Sequence, residues 1–328
     1  MTNIAKIGLV GFGNVGKELY RRLKSNGHDV SFSISNHGLY DRLGNKIDEK
    51  DGYFNSIKHI DIVCLAIPTL DDGKTAYDYI SHAFDNGKLV VTCEKGALSN
   101  YFKELQENLS HLGYSATVGG GTRLLQYGKQ RMTSEVTEIH AIVNGTLNYV
   151  FEQVSKGRSL GEVAREAKKL GYAEPGAEST LEVINTEANS DVPMKTAILF
   201  NVLGLGEISA SDLKSNAKNL TEEDLRALIM ESQNRRYIVS ITKEDSKEGN
   251  NIGGFKEEVN GWHISAGFKN ISENPLFMQL TVSGVNNSLL VCDGKDGING
   301  TYKVSGQGAG AEPTTTAMLL DLESLLRH

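Results

Sequence analysis

The hexapeptide Gly11-Phe12-Gly13-Asn14-Val15-Gly16 constrains this chain more than any other stretch. It matches G-x-G-x-x-G, and its surroundings give the match meaning. An apolar run, Ile4–Val10, leads into it and reads as a strand. Asn14–Lys24 leads out of it, with Val15, Leu19 and Leu23 four apart on one helix face. Strand, glycine turn and helix in that order read as a dinucleotide-binding corner. Gly11 permits the tight turn, Gly13 lets the backbone approach a pyrophosphate, and Gly16 allows close helix–strand packing. The helix N-terminus offers unpaired N–H groups and the positive end of its dipole to the phosphates. Phe12, Asn14 and Val15 complete the expected cofactor loop.

The runs Val30–Ile34, Asp61–Ile67 and Lys88–Thr92 also read as strands, alternating with amphipathic stretches. Such βαβ grammar implies a Rossmann-type, doubly wound parallel sheet. After about Glu135 the grammar changes. Ser159–Glu162 forms an S-x-x-E capping box, and the helix that follows stops at Gly171. Tyr237–Lys243, Trp262–Phe268, Met278–Gly284, Ser288–Cys292 and Thr301–Ser305 read as strands between Gly/Asn turns. The polar stretch Glu244–Gly254 reads as a mobile surface loop. The fold class is therefore α/β, with a second α/β domain for substrate and dimerisation. The expected boundaries are 1–134, 135–304 and a C-terminal segment, 305–328, returning to the first domain.

The ribose end of the expected cofactor site is unusual. A site selective for NAD carries Asp or Glu at the end of its second strand, but Ser33–Gly38 reads SISNHG. Ser35 and Asn36 can hydrogen-bond either a 2′-OH or a 2′-phosphate, so NAD and NADP are both expected.

A net charge of −7 and a pI near 5.7 argue against nucleic acid or anionic membrane as partner. Cys64, Cys93 and Cys292 show no CxxC or metal-ligand spacing, which suits a reducing, cytoplasmic compartment. The glycine loop follows the N-terminus so closely that no signal peptide is expected. No apolar run reaches the roughly 20 residues of a membrane helix.

Further segments carry a resemblance. They are VTCEKGAL (Val91–Leu98), ATVGGGTRLL (Ala116–Leu125), VNGTLNYVF (Val143–Phe151), the stretch from LGYAEP (Leu170–Pro175) to DVPMK (Asp191–Lys195), and SGQGAGAEPTTTA (Ser305–Ala317). Together, and in this order, they resemble the homoserine dehydrogenase family over nearly the whole chain. The chain is similar to the short form of that family, without an appended regulatory domain. The resemblance implies hydride transfer between NAD(P) and L-homoserine or L-aspartate 4-semialdehyde, in threonine and methionine biosynthesis, by a homodimer.

On the residues alone, Lys95 reads as a surface lysine, Glu174 as a turn carboxylate, and Asp191 with Lys195 as a surface i,i+4 pair. The resemblance assigns them work. Lys195 becomes the proton donor and acceptor for the reacting oxygen, and Asp191 helps hold substrate. Lys95 lies beside the nicotinamide, and Glu174 accepts from the substrate ammonium. It also implies Gly145, Thr146 and Tyr172 at the substrate, and Pro68, Thr69, Gly171 and Gly310 at the cofactor. A monovalent cation such as Na⁺ would sit on the backbone carbonyls of Ser115, Val118, Gly120 and Thr122, although positive-φ glycine geometry also accounts for that turn. One departure stands out. The link GAESTLEVINTEANS is longer than in the family, and Glu178, Glu182 or Glu187 is left to supply a further substrate acid.

Two rivals remain at this point. An aspartate-semialdehyde-type dehydrogenase needs an activated cysteine nucleophile, for which Cys93 is the candidate. A non-catalytic NAD(P)-binding sensor is the other.

Overall fold

The structure, a computed structural model, describes residues 4–172, 178–244 and 251–327. These divide into two compact units. One runs to Gly121 and resumes at Gly310; the other is Thr122–Ala309. The transition lies before Glu135 because the helix α4 (Leu124–Arg131) packs within the second unit, with Gly128 against Leu203 and Leu289.

The first unit holds a seven-stranded sheet: β1 (Lys6–Val10), β2 (Asp29–Ser35), β3 (Gly38–Asp41), β4 (Lys46–Asp48), β5 (Ile62–Leu65), β6 (Leu89–Thr92) and β7 (Leu112–Gly113). Their order is β4-β3-β2-β1-β5-β6-β7. β2, β1, β5, β6 and β7 run parallel, and the parallel core strands are apolar along their length, as strands covered on both faces must be. The expected parallel sheet is present, with one difference: β2 turns straight back into β3 through Asn36-His37, so β3 and β4 form an antiparallel edge. Helix α1 (Asn14–Ser25) buries Gly16, Leu19 and Leu23, and helix α2 (Lys74–Asp85) buries Ala76, Ile80 and Ala83. A C-terminal helix, Ala311–Leu325, joins the same core through Met318, Leu319 and Leu322. At about 1.5–3 kcal/mol for each large apolar side chain, this burial anchors the chain's end in the first unit.

The second unit carries a six-stranded antiparallel sheet. Its strands are β8 (Val136–Ile142), β9 (Arg235–Thr242), β10 (Ile252–Val259), β11 (Trp262–Asn270), β12 (Asn286–Asp293) and β13 (Gly300–Gln307), in the order β10-β11-β9-β8-β12-β13. β10 begins inside the expected loop Glu244–Gly254; positions 245–250 lie outside the described residues. Helices α5 (Gly145–Ser155), α6 (Leu160–Lys169), α7 (Thr180–Thr186) and α8 (Val192–Val202) follow β8. Ser159 caps α6 by accepting from Glu162 N, and Gly171 follows its C-cap with φ 71°.

Met278–Gly284 is not a strand. Pro275–Leu280 is the helix α9, capped by Asn274, whose side chain accepts from Leu276 N. Pro275 suits the first helical turn, and Leu276, Phe277 and Leu280 bury one helical face. A short apolar run does not separate strand from helix, and the Asn-Pro start was the signal that decided it.

Candidate functional site

The first unit presents the glycine loop at the carboxyl edge of its parallel sheet. Gly11 has φ 100°, and a Cβ there would lie 2.2 Å from Ala66 O. A Cβ on Gly16 would lie 2.1 Å from Gly11 O. Gly13 differs: a Cβ there would meet nothing within 4 Å. Two of the glycines thus serve the turn itself, and the third leaves open room over the N-terminus of α1. That terminus has no side-chain cap and no acid in its first turn. Open room beside uncapped amides fits a pyrophosphate. Phe12, Asn14 and Val15 lie on the same turn. Gly11 N donates to Ile34 O, which puts the loop beside Ser35 at the end of β2. Ser35 Oγ accepts from His37 N at 3.1 Å, and Asn36 and His37 are exposed.

Neighbouring strand ends contribute the rest of this edge. Pro68 and Thr69 follow β5, and Lys95 follows β6 as the N-cap of the helix α3 (Gly96–Asn100). Beside Lys95, Glu94 is 2% exposed; its carboxylate accepts from Thr69 Oγ1 at 2.5 Å, Gly96 N at 2.5 Å and Ala97 N at 2.9 Å. Burial pushes the Cys93 thiol up to about 12, and the Glu94 charge adds to the effect. A thiol held protonated at neutral pH is a poor nucleophile, which counts against the acylating rival. Gly310, with φ 111°, precedes the C-terminal helix of the same unit.

The second unit gathers a polar cluster where β8 ends. Asn144 caps α5, its Oδ1 accepting from Leu147 N at 2.7 Å. Its Nδ2 donates to Glu187 Oε2 at 2.6 Å and Asp191 Oδ2 at 2.8 Å. Lys195 Nζ pairs with Asp191 Oδ2 at 2.7 Å and donates to Val143 O at 2.9 Å. Asp191 and Glu187 are each 2% exposed, so the Asp191–Lys195 pair is no solvated surface pair. Thr146 Oγ1 donates to Tyr172 O at 2.6 Å, and the Tyr172 ring meets Tyr149 edge-on. Gly145 opens α5, and Gly171 lies in the turn before Tyr172. Glu174 lies outside the described residues.

The long link explains how the two acids meet. Its helix begins not near Asp191 but at Thr180, capped by a reciprocal Ser179–Glu182 box. Helix runs on through a π-turn, Glu187–Asp191, into α8. Pro193 has no N–H for the carbonyl four residues earlier, and its ring crowds that carbonyl, so the preceding turn widens. Glu178 and Glu182 are exposed, and the Glu182 carboxylate is spent on that cap, accepting from Glu178 N at 2.6 Å and from Ser179 N at 3.3 Å. Only Glu187 of the three points at Asn144. The sequence reading also passed over Asn144 and Glu94. An Asn directly before an apolar helical run is an N-cap signal, and it marked Asn144; nothing local marked Glu94.

The cation carbonyls divide. Ser115, Val118 and Gly120 are in the first unit, where Ser115 N–H and hydroxyl both donate to Asp321. Thr122 opens the second unit, its hydroxyl donating to Gln307 O at 3.1 Å. Among the described residues, no three His, Cys, Asp or Glu side chains gather as metal ligands, and no helix is long and apolar enough to cross a membrane.

A dinucleotide corner in one unit and a buried lysine–carboxylate cluster in the other define an NAD(P)-dependent oxidoreductase. The family model for homoserine dehydrogenase matches residues 125–322, and that for the NAD binding domain of 6-phosphogluconate dehydrogenase matches 6–156. The chain belongs to the homoserine dehydrogenase family. A homoserine dehydrogenase of Methanocaldococcus jannaschii is 29% identical over 270 residues, 80% of this chain and 71% of that relative. The crystal structure of homoserine dehydrogenase from Thermoplasma acidophilum shares the fold with a TM-score of 0.73 at 21% identity, covering 99% of this chain and 100% of that one. A hyperthermophilic archaeal homoserine dehydrogenase in complex with NADPH gives 0.69 at 18% identity, over 99% and 98% of the two chains.

Proposed function

We propose that this chain interconverts L-homoserine and L-aspartate 4-semialdehyde, with Lys195 moving the proton and Glu187 and Asp191 holding the substrate. The observation that carries the reading is the buried Glu187–Asn144–Asp191–Lys195 chain of contacts. When bound, NAD(P)H supplies the hydride. In the reductive direction Lys195 Nζ gives its proton to the aldehyde oxygen, and in the oxidative direction the same nitrogen takes it back. Asp191, 2.7 Å away, holds Nζ in place. Asn144 ties both acids to the start of α5, so the two carboxylates present fixed negative charge to a substrate ammonium. Thr146 ties the Tyr172 carbonyl to the first turn of α5.

Gly11–Gly16, Ser35, Pro68, Thr69, Lys95, Gly171 and Gly310 form the proposed cofactor set. With no acid from Ser33 to Gly38, both cofactors are accepted, which agrees with the NADPH in the archaeal relative. Steady-state kinetics with L-homoserine and each cofactor test the reading. Turnover with both, their kcat/KM values within about a thousandfold, is expected. No turnover with either cofactor would sink it.

The resemblance supports a homodimer, cytoplasmic residence and a place in threonine and methionine biosynthesis; sedimentation at working concentration checks the first. It also supports a monovalent cation on the carbonyls of Ser115, Val118, Gly120 and Thr122. The left-handed Gly119 and Gly120 suit a turn of that kind. Exchanging Na⁺ for a bulky organic cation should then weaken activity.

A further inference from the structure

We infer that Glu94 is a positioning residue that clasps the two strand-end loops on which Thr69 and Lys95 stand. The inference rests on the reading that Pro68, Thr69 and Lys95 touch the cofactor.

The loop after β5 has reason to need a clasp. Asp71 and Asp72 take φ of 48° and 50°, and Gly73 follows at 94°. Residues with a Cβ avoid left-handed backbone, and two in succession persist only where surrounding contacts enforce them. The contacts come from the segment after β6. Asn100 Nδ2 donates to Asp72 O at 2.8 Å. A Cβ on Gly73 would lie 2.0 Å from Gly96 C, so the two backbones touch there. Glu94 closes the near end. Its Oε1 takes the Thr69 hydroxyl and Gly96 N, and its Oε2 takes Ala97 N. Thr69 is thereby bonded through one carboxylate to the backbone directly after Lys95.

A buried carboxylate is costly unless its oxygens are satisfied, and here donors meet both. An apolar side chain would fill the space without that cost, so packing alone does not account for an acid. What the carboxylate adds is direction: it fixes the Thr69 side chain and the entry to α3 relative to each other.

The test is a double-mutant cycle on the full chain with Glu94→Gln and Thr69→Val. Gln keeps the volume, but either amide orientation turns an NH₂ toward a donor. NADH binding is followed by its fluorescence, the melting temperature of the free protein is recorded, and kcat and KM are measured separately. Each single variant should raise the NADH dissociation constant by about tenfold or more. The double variant should match the worse single one, because Thr69→Val removes a bond within the same clasp that Glu94→Gln disrupts. Independent multiplication of the two effects overturns the clasp. So does a lowered melting temperature with NADH affinity and kcat within about twofold of wild type. A wild-type protein that binds neither NADH nor NADPH refutes the cofactor reading instead.

Discussion

At the scale of single residues, the cluster at the end of β8 separates proton transfer from substrate binding. Lys195→Ala removes the proton carrier, so turnover should fall by about 10²–10⁴. NADH affinity should hardly change, since Lys195 lies in the second unit and the glycine loop in the first. A variant keeping more than about half of the wild-type turnover would take Lys195 out of the chemistry. Glu187→Gln should act on KM. Its carboxylate accepts from Asn144 Nδ2 at 2.6 Å, and losing a charge that faces an ammonium costs about 1.5–3 kcal/mol. Homoserine KM should rise about tenfold or more. Glu178→Gln, on an exposed residue, should leave it within about twofold. Equal KM effects from the two variants would show that burial beside Asn144 does not select the acid.

At the scale of elements, the glycine loop makes a prediction that inverts the usual expectation of glycine loss. Gly11→Ala and Gly16→Ala force a Cβ against backbone oxygens at 2.2 Å and 2.1 Å, so both should destabilise the free protein, Gly11→Ala by more than about 1 kcal/mol. Gly13→Ala meets no atom and needs no unusual backbone, with φ −77°. It should leave the melting temperature of the free protein unchanged and still weaken NADH binding. Comparing melting temperature with dissociation constant for the three variants decides the matter; a Gly13→Ala protein that binds NADH normally would falsify the pyrophosphate role of that open space. This loop was legible in sequence because its function is written in local backbone geometry. The same holds for the core strands and for Ser159 at the start of α6. The i,i+4 spacing of Asp191 and Lys195 was legible too, but not their burial, which depends on what α5 and the π-turn bring alongside. The π-turn stayed hidden because Pro193 is equally at home in a first helical turn. Glu94 stayed hidden because its partner Thr69 lies 25 positions away.

At the scale of the whole molecule, two units with separate cores allow a pH response to be assigned to one of them. His28 is 5% exposed in the first unit, and its Nδ1 accepts from Ala5 N at 3.3 Å, where the chain enters β1. Burial holds the imidazole below its usual 6.5, with Glu323 opposing weakly. The folded state therefore keeps His28 neutral while the unfolded chain takes up a proton as pH falls through about 6.5. Stability from this group is fully present above that pH and is lost as pH falls toward the folded value. Hydrogen exchange at about pH 7.5 and about pH 5.5, corrected for intrinsic rates, should show lost protection at Ala5 and along β1 and β2. His28→Gln should flatten this change, because an amide does not titrate in the range. Trp262, the only tryptophan, is 7% exposed in β11 of the second unit and serves as the control. Its fluorescence during urea unfolding should respond to pH alike with and without the substitution. Equal protection of Ala5 at both pH values in the wild type would mean that His28 is not the group through which acid loosens this unit.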